Sequence, residues 1–194
     1  SRGFLAPVCY FKKVSPYKRR IKWASVVFAL IADICMLNFG GALKRKEKIT
    51  GRLADILSNL YFAMAVIKRY ESEEKSTESW ALAEWNLKQL LHQINQSIEA
   101  LWNELGGPFK LLALFSRLNQ FSGLPSDRLG QKIAKSMIDI DSPIRKQLLS
   151  GRYLGKDTPK RLAELEHCMK TLKKIQPLLR QIKNGMKNKI LPKT

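Results

Sequence analysis

The side chains in this sequence that could do chemistry are few and scattered. His92 and His167 are the only two histidines and stand 75 positions apart. His92 lies between Leu91 and Gln93 with no ligand partner, which reads as a helix-surface or boundary histidine rather than a metal ligand or general base. His167 is followed by Cys168 and flanked by Glu164 and Glu166. Adjacent residues on a helix project about 100° apart, so this imidazole is poorly placed to activate its neighbouring thiol. Cys9, Cys35 and Cys168 are odd in number and form no CxxC pair, which argues against a disulfide framework or a structural zinc site and fits a reducing compartment. Glu71, Glu73, Glu74 and Glu78 cluster without the regular ligand spacing and central glycine of a calcium loop, so they read as a solvated turn. The dinucleotide, Walker A, nucleophile-elbow and zincin patterns do not occur. Gly40-Gly41 reads as a helix stop rather than a phosphate cradle. The expectation is a chain with no catalytic and no metal-ligating residue of its own, in which no cofactor-binding residue can be picked out.

The elements that carry these residues are all helical. Ser15-Pro16 reads as an N-cap followed by proline in the first turn, opening a helix over 16–39 that Gly40-Gly41 releases. Its core, Trp23 to Phe39, is an apolar stretch near the lower limit for crossing a bilayer, interrupted by Asp33, and reads as a buried helix rather than a span or signal segment. Apolar residues at three- and four-residue spacing from Leu43 to Ile67 predict a second helix over 43–71. A polar turn over 71–79 follows, with Ser76 or Thr77 capping a third helix over 77–105 that ends at Gly106-Gly107-Pro108. Trp80, Trp85 and Trp102 on that helix read as packing anchors rather than a base-stacking platform. Shorter helices are expected over 109–121, 128–138, 142–150 and 159–176, with Pro177 breaking or kinking the last. Sustained period-two alternation is lacking. The fold class is all-α: an antiparallel up-down bundle of three long helices with shorter flanking ones.

The net charge of +19 is unevenly distributed. By count, 1–48 holds 11 basic and 2 acidic residues, 49–139 holds 10 of each, and 140–194 holds 14 and 4. With 45% hydrophobic and 26% charged residues the chain is neither a disordered polycation nor a multi-span membrane protein. The organisation expected is a basic arm over 1–15, a helical module over 16–155 and a basic helical tail over 156–194. Lys12-Lys13 and Lys18-Arg19-Arg20-Lys22 suit anionic phospholipid headgroups or nucleic acid, against the plain reading of a solvated basic arm. Phe109 to Phe121 is apolar around most of its circumference, and is either buried in the bundle or laid on a membrane with Lys110 and Arg117 at the headgroups. The start at Ser1-Arg2-Gly3-Phe4, without Met, reads as a fragment, a processed chain or a pseudogene remnant.

Several ordered blocks carry a resemblance. GGALKRKEKITGRLADILSNLYFAMAVIKRYE, from Gly40 to Glu71, resembles the carboxy-terminal region of the large bacterial acyl-CoA dehydrogenases of fatty-acid β-oxidation. FALIADICMLNFGG before it, WALAEWNLKQLLHQINQSIEAL after it and PSDRLGQKIAK from Pro125 to Lys135 agree in order, covering roughly 10–155, while the tail over 156–194 matches weakly. The resemblance implies an FAD-dependent oxidoreductase that removes two hydrogens from an acyl-CoA, using a glutamate base. It places the flavin, acyl-CoA and base sites in domains preceding this region, so no residue here inherits a catalytic role and this chain alone is expected to be inactive. The similar very-long-chain mitochondrial enzymes link an added carboxy-terminal helical domain to membrane association and dimer stability. The implied partners are therefore acyl-CoA through the full enzyme, a second copy as homodimer and an anionic membrane surface. The implied location is the bacterial cytoplasm or the cytoplasmic face of the inner membrane. The competing reading is a free-standing basic helical protein that binds nucleic acid or anionic lipid, with charge as its only warrant; the family blocks disfavour nucleic acid.

Overall fold

A computed structural model describes residues 13–73, 75–107, 109, 123–150 and 160–187. Among these every regular element is helical: α1 (Ser15–Phe39), a 3-10 turn (Gly40–Arg45), α2 (Glu47–Ser72), α3 (Thr77–Leu105), α4 (Asp127–Ile138), α5 (Pro143–Leu149) and α6 (Lys160–Lys187). The chain divides into two compact units, residues 1–133 and 134–194. The helix expected over 109–121 beyond Phe109, the start at Thr158-Pro159 of the helix expected over 159–176, and residues 1–12 of the arm lie outside the described residues.

In the first unit α1, α2 and α3 pack on one another, and the α2–α3 interface is the most extensive. Side-chain pairs fix their antiparallel directions. Lys18 at the start of α1 meets Glu71 at the end of α2 at 2.6 Å, and Arg52 early in α2 reaches Glu104 late in α3 at 3.5 Å. Tyr17 and Tyr70 both meet the Trp80 ring edge-on, with centroids 6.0 and 5.1 Å apart, so the opening of α1, the end of α2 and the opening of α3 share one end of the bundle. The core runs along matched faces: Ile21, Ala24, Ile31 and Cys35 from α1, Ile56, Ala63 and Ile67 from α2, and Leu87, Leu91, Ile94, Ile98 and Leu101 from α3. Three- and four-residue spacing puts each set on one stripe, which is why these sequences form helices that need each other.

The boundaries follow local chemistry, with corrections to the sequence reading. Ser15 does not cap α1. Val14 takes the N-cap place without a side-chain bond, and Pro16 still sits in the first turn. Gly40 ends α1 with φ of 46°, a backbone state glycine adopts without a Cβ clash. The second helix begins at Glu47 rather than 43, because 40–45 winds as the tighter 3-10 form and Lys46 turns the chain, its ammonium 4.8 Å from the centre of the Phe39 ring. Ser76 caps α3 as expected: Ser79 N–H donates to Ser76 Oγ and Ser76 N–H to Ser79 Oγ, both at 2.9 Å. Gly106 closes α3 with φ of 63°.

In the second unit α6 continues ten residues beyond Pro177 instead of ending there. Lys173 on α6 donates to Asp139 Oδ1 at 2.6 Å and to Asp141 Oδ2, and Arg145 donates to the carbonyls of Met137 and Ile138 and approaches Met169 Sδ at 3.9 Å.

Candidate docking surfaces

The residues that could do chemistry are divided between the two units. His92 lies half-buried on α3, and His167 and Cys168 are exposed on α6 in the other unit. No group of three or more His, Cys, Asp or Glu suited to a metal ion occurs among the described residues. Two residues of the acidic cluster make structural ion pairs: Glu71 with Lys18, and Glu73 with Arg69 at 2.8 Å. Trp102 is buried, while Trp80 and Trp85 are half-buried, so the tryptophans do serve packing, with Trp80 at the aromatic end of the bundle. The basic run before the apolar helix is divided. Lys18 is tied to Glu71 and the Arg20 guanidinium lies 5.6 Å from the centre of the Tyr17 ring, whereas Arg19 and Lys22 face solvent. Of that run, Lys18 is the residue that ties α1 to α2.

Local electrostatics is also structural. Burial pushes the Tyr17 hydroxyl above its ordinary value, and the nearby Glu84 carboxylate adds to the shift. Glu84 also accepts from Lys88 at 2.7 Å, one turn along α3, and this hydrogen bond raises the Lys88 ammonium. Burial raises the Cys35 thiol, so its nucleophilic form is suppressed. Hydrogen bonds from Lys173 hold Asp139 and Asp141 below the usual carboxylate range and raise Lys173 in turn.

What stands out on the first unit is apolar surface. The stretch read as a buried helix is buried on one face only. Tyr17, Ile21, Ala24, Val27, Ile31 and Cys35 point into the core, while Val26, Leu30 and Leu37, spaced by four and seven, lie on the opposite face with Leu37 85% exposed. Asp33 falls in the gap of that stripe and is exposed with it. Helix α2 carries a second stripe, Leu57, Tyr61 and Met64, spaced by four and three, with Tyr61 72% exposed, and Phe62 beside it meets the Tyr61 ring edge-on. Periodicity alone conceals this, because a helix apolar all round has no polar face to mark its outside. The stretch Ser15–Arg45 is also long and apolar enough to cross a membrane by length and composition.

A flavin does not fit the described residues. The interior of the bundle is filled by aliphatic side chains, and the one buried polar side-chain atom there without a partner among the described residues is Trp102 Nε1, a single donor in a packed setting. An open groove of 290 Å³ in the second unit, lined by Ile140, Arg145, Lys146, Leu149, Ser150 and Lys170, has no aromatic wall against which an isoalloxazine could stack. No catalytic step is therefore assigned to these residues.

Fold and surface together define a helical module in which the long helices α1 and α2 keep an apolar outer face. The chain matches, over residues 1–194, the family described as acyl-CoA dehydrogenase, C-terminal, bacterial type, and it belongs to that family. No solved structure matches the chain.

Proposed function

We propose that this chain is the packing module of an FAD-dependent acyl-CoA dehydrogenase of fatty-acid β-oxidation, and that its α1 and α2 apolar stripes are covered by the remainder of that enzyme. The observation that carries the reading is the pair of stripes, Val26, Leu30 and Leu37 on α1 and Leu57, Tyr61 and Met64 on α2, exposed on an otherwise well-packed bundle. Apolar surface of this kind marks an interaction site. Asp33 favours a protein surface over a bilayer as the cover, since a carboxylate facing hydrocarbon costs about 3 kcal/mol or more, whereas a protein can offer it a cation or hydrogen-bond donor. Flavin and acyl-CoA would be bound by the covering domains in the cytoplasm, and the module would contribute interface rather than chemistry. The basic flanks and the Phe109–Phe121 segment leave a membrane contact as a separate property of the assembled enzyme.

The test is the coding DNA upstream of Ser1 together with the polypeptide it specifies. A contiguous frame for flavin domains, whose product co-purifies with FAD and turns over acyl-CoA while residues 1–194 alone do neither, supports the reading. Unrelated upstream sequence, or turnover by residues 1–194 alone, overturns it.

A further inference from the structure

We propose that α6 is a docking seam for an acidic amphipathic helix of a partner protein. Leu165, Cys168, Leu172, Ile175, Leu179, Ile182 and Met186 follow one another at steps of three, four, three, four, three and four residues. That is the a/d spacing by which one helix receives another. All but Met186, which is half-buried, are exposed, with Leu165 at 60%, Leu172 at 58% and Leu179 at 51%. The contacts that hold α6 within its own unit, Met169 to Arg145 and Lys173 to Asp139 and Asp141, leave from positions to the side and back of this stripe. Pro177 also falls at the outermost place of the repeat, where its ring and missing N–H do not meet the seam.

Spacing and charge select the occupant. The stripe is an a/d seam widened on one side by exposed Leu178, and α6 has no aromatic residue, whereas an interfacial membrane helix carries Trp or Phe at the edge of its apolar face. Helix α6 carries eight Lys or Arg against Glu164 and Glu166, a net charge of +6. A second copy would bring +6 against +6. Among the places flanking the seam the one carboxylate is Glu164 at its amino-terminal end; Met169, Thr171, Gln176, Leu178, Lys183 and Gly185 offer none to answer a basic partner. A helix with apolar a and d positions and Glu or Asp beside them satisfies both the seam and the field, with its carboxylates concentrated near Arg180, Lys183 and Lys187.

The probe is a fluorescent synthetic peptide of three heptads with Ile at a, Leu at d and Glu at e and g, titrated with the full 194-residue chain by anisotropy at low and high salt. A matched peptide with Lys at e and g, and equimolar phosphatidylglycerol–phosphatidylcholine vesicles, are titrated alongside. The acidic peptide is expected to bind, more weakly at high salt. The double variant Leu172→Ser/Leu179→Ser is expected to weaken it by about tenfold or more, with helix content unchanged because both side chains are exposed, while Lys170→Ser on the outer face is expected to change affinity less than about threefold. The proposal is overturned if the acidic peptide fails to bind, if the Lys peptide binds equally, or if the double variant binds as wild type does. It is also overturned if the seam engages vesicles in preference to the peptide, or if sedimentation shows self-association that the double variant abolishes.

Discussion

Helix α1 is two-faced, and replacing Ile31 and Leu37 separately by alanine measures that directly. Ile31 is fully buried in the core and Leu37 is 85% exposed, although they stand only six positions apart in one apolar stretch. Truncating a buried Ile to Ala costs about 2–5 kcal/mol through lost transfer energy and the residual cavity, and an exposed site away from special features changes stability by about 0.5 kcal/mol or less. Urea unfolding followed by tryptophan fluorescence is the assay. Trp23, Trp80, Trp85 and Trp102 all lie within residues 1–133, so the signal reports that unit. With a slope of about 1–3 kcal/mol/M, Ile31→Ala should lower the midpoint by about 1 M or more, and Leu37→Ala by about 0.5 M or less. Equal shifts, or a larger one for Leu37, would refute the assignment of an unoccupied outer face. In the covered enzyme the gap narrows, because hiding a Leu side chain contributes about 1.5–3 kcal/mol, and Leu37→Ala should then loosen the module from its cover.

Three further outcomes follow from particular contacts. Ser76→Ala removes the acceptor for Ser79 N–H at the start of α3 and should destabilise the first unit by about 1 kcal/mol in the same urea experiment; no change would show the capping box to be idle. Asp139 and Asp141 are held below their ordinary value of 3.8 by Lys173, so their contribution is present above that value and lost as pH falls through the lowered values of the folded chain. Lys173 is raised, so its share is lost only as pH rises through its own raised value; carboxyl NMR titration of Lys173→Ala should return both aspartates toward 3.8, and unmoved titrations would exclude the clamp. In a Cys9→Ser background, exposed Cys168 should react with a maleimide at once and buried Cys35 only on unfolding; comparable native rates would contradict the burial and raised thiol of Cys35.

Much of this architecture was legible in the sequence where signals are local. The span of α3 follows from a serine cap, an unbroken three-four apolar period and a Gly-Gly stop, and those bounds agree with the structure. The start of α2 did not, because a 3-10 turn carries the same short-range spacing as an α-helix over four to six residues. Pro177 was read as breaking or kinking its helix; it does not break it, since a proline removes one hydrogen bond and α6 passes through it. The separation of His92 from His167 and Cys168 was legible as distance along the chain, and they fall in different compact units. The outer stripes were not legible, since in α1 core residues such as Ile31 and exposed ones such as Leu30 are chemically alike and only packing assigns their sides. The seam on α6 was equally hidden: its spacing is visible in the sequence, but that it faces away from its own unit is a tertiary fact.

The central claim is that the α1 and α2 stripes are an internal interface of a larger acyl-CoA dehydrogenase. Hydroxyl-radical footprinting of Met36, Tyr61 and Met64, compared between residues 1–194 alone and the polypeptide of the complete reading frame, tests it most directly. All three are exposed here and should be oxidised readily in the isolated chain. In the complete polypeptide Tyr61 and Met64 should fall severalfold in reactivity, with Met36 at the edge of the α1 stripe falling less, while exposed Cys168 serves as a labelled reference on the other unit. Equal reactivity of Tyr61 and Met64 in the two proteins would contradict the account.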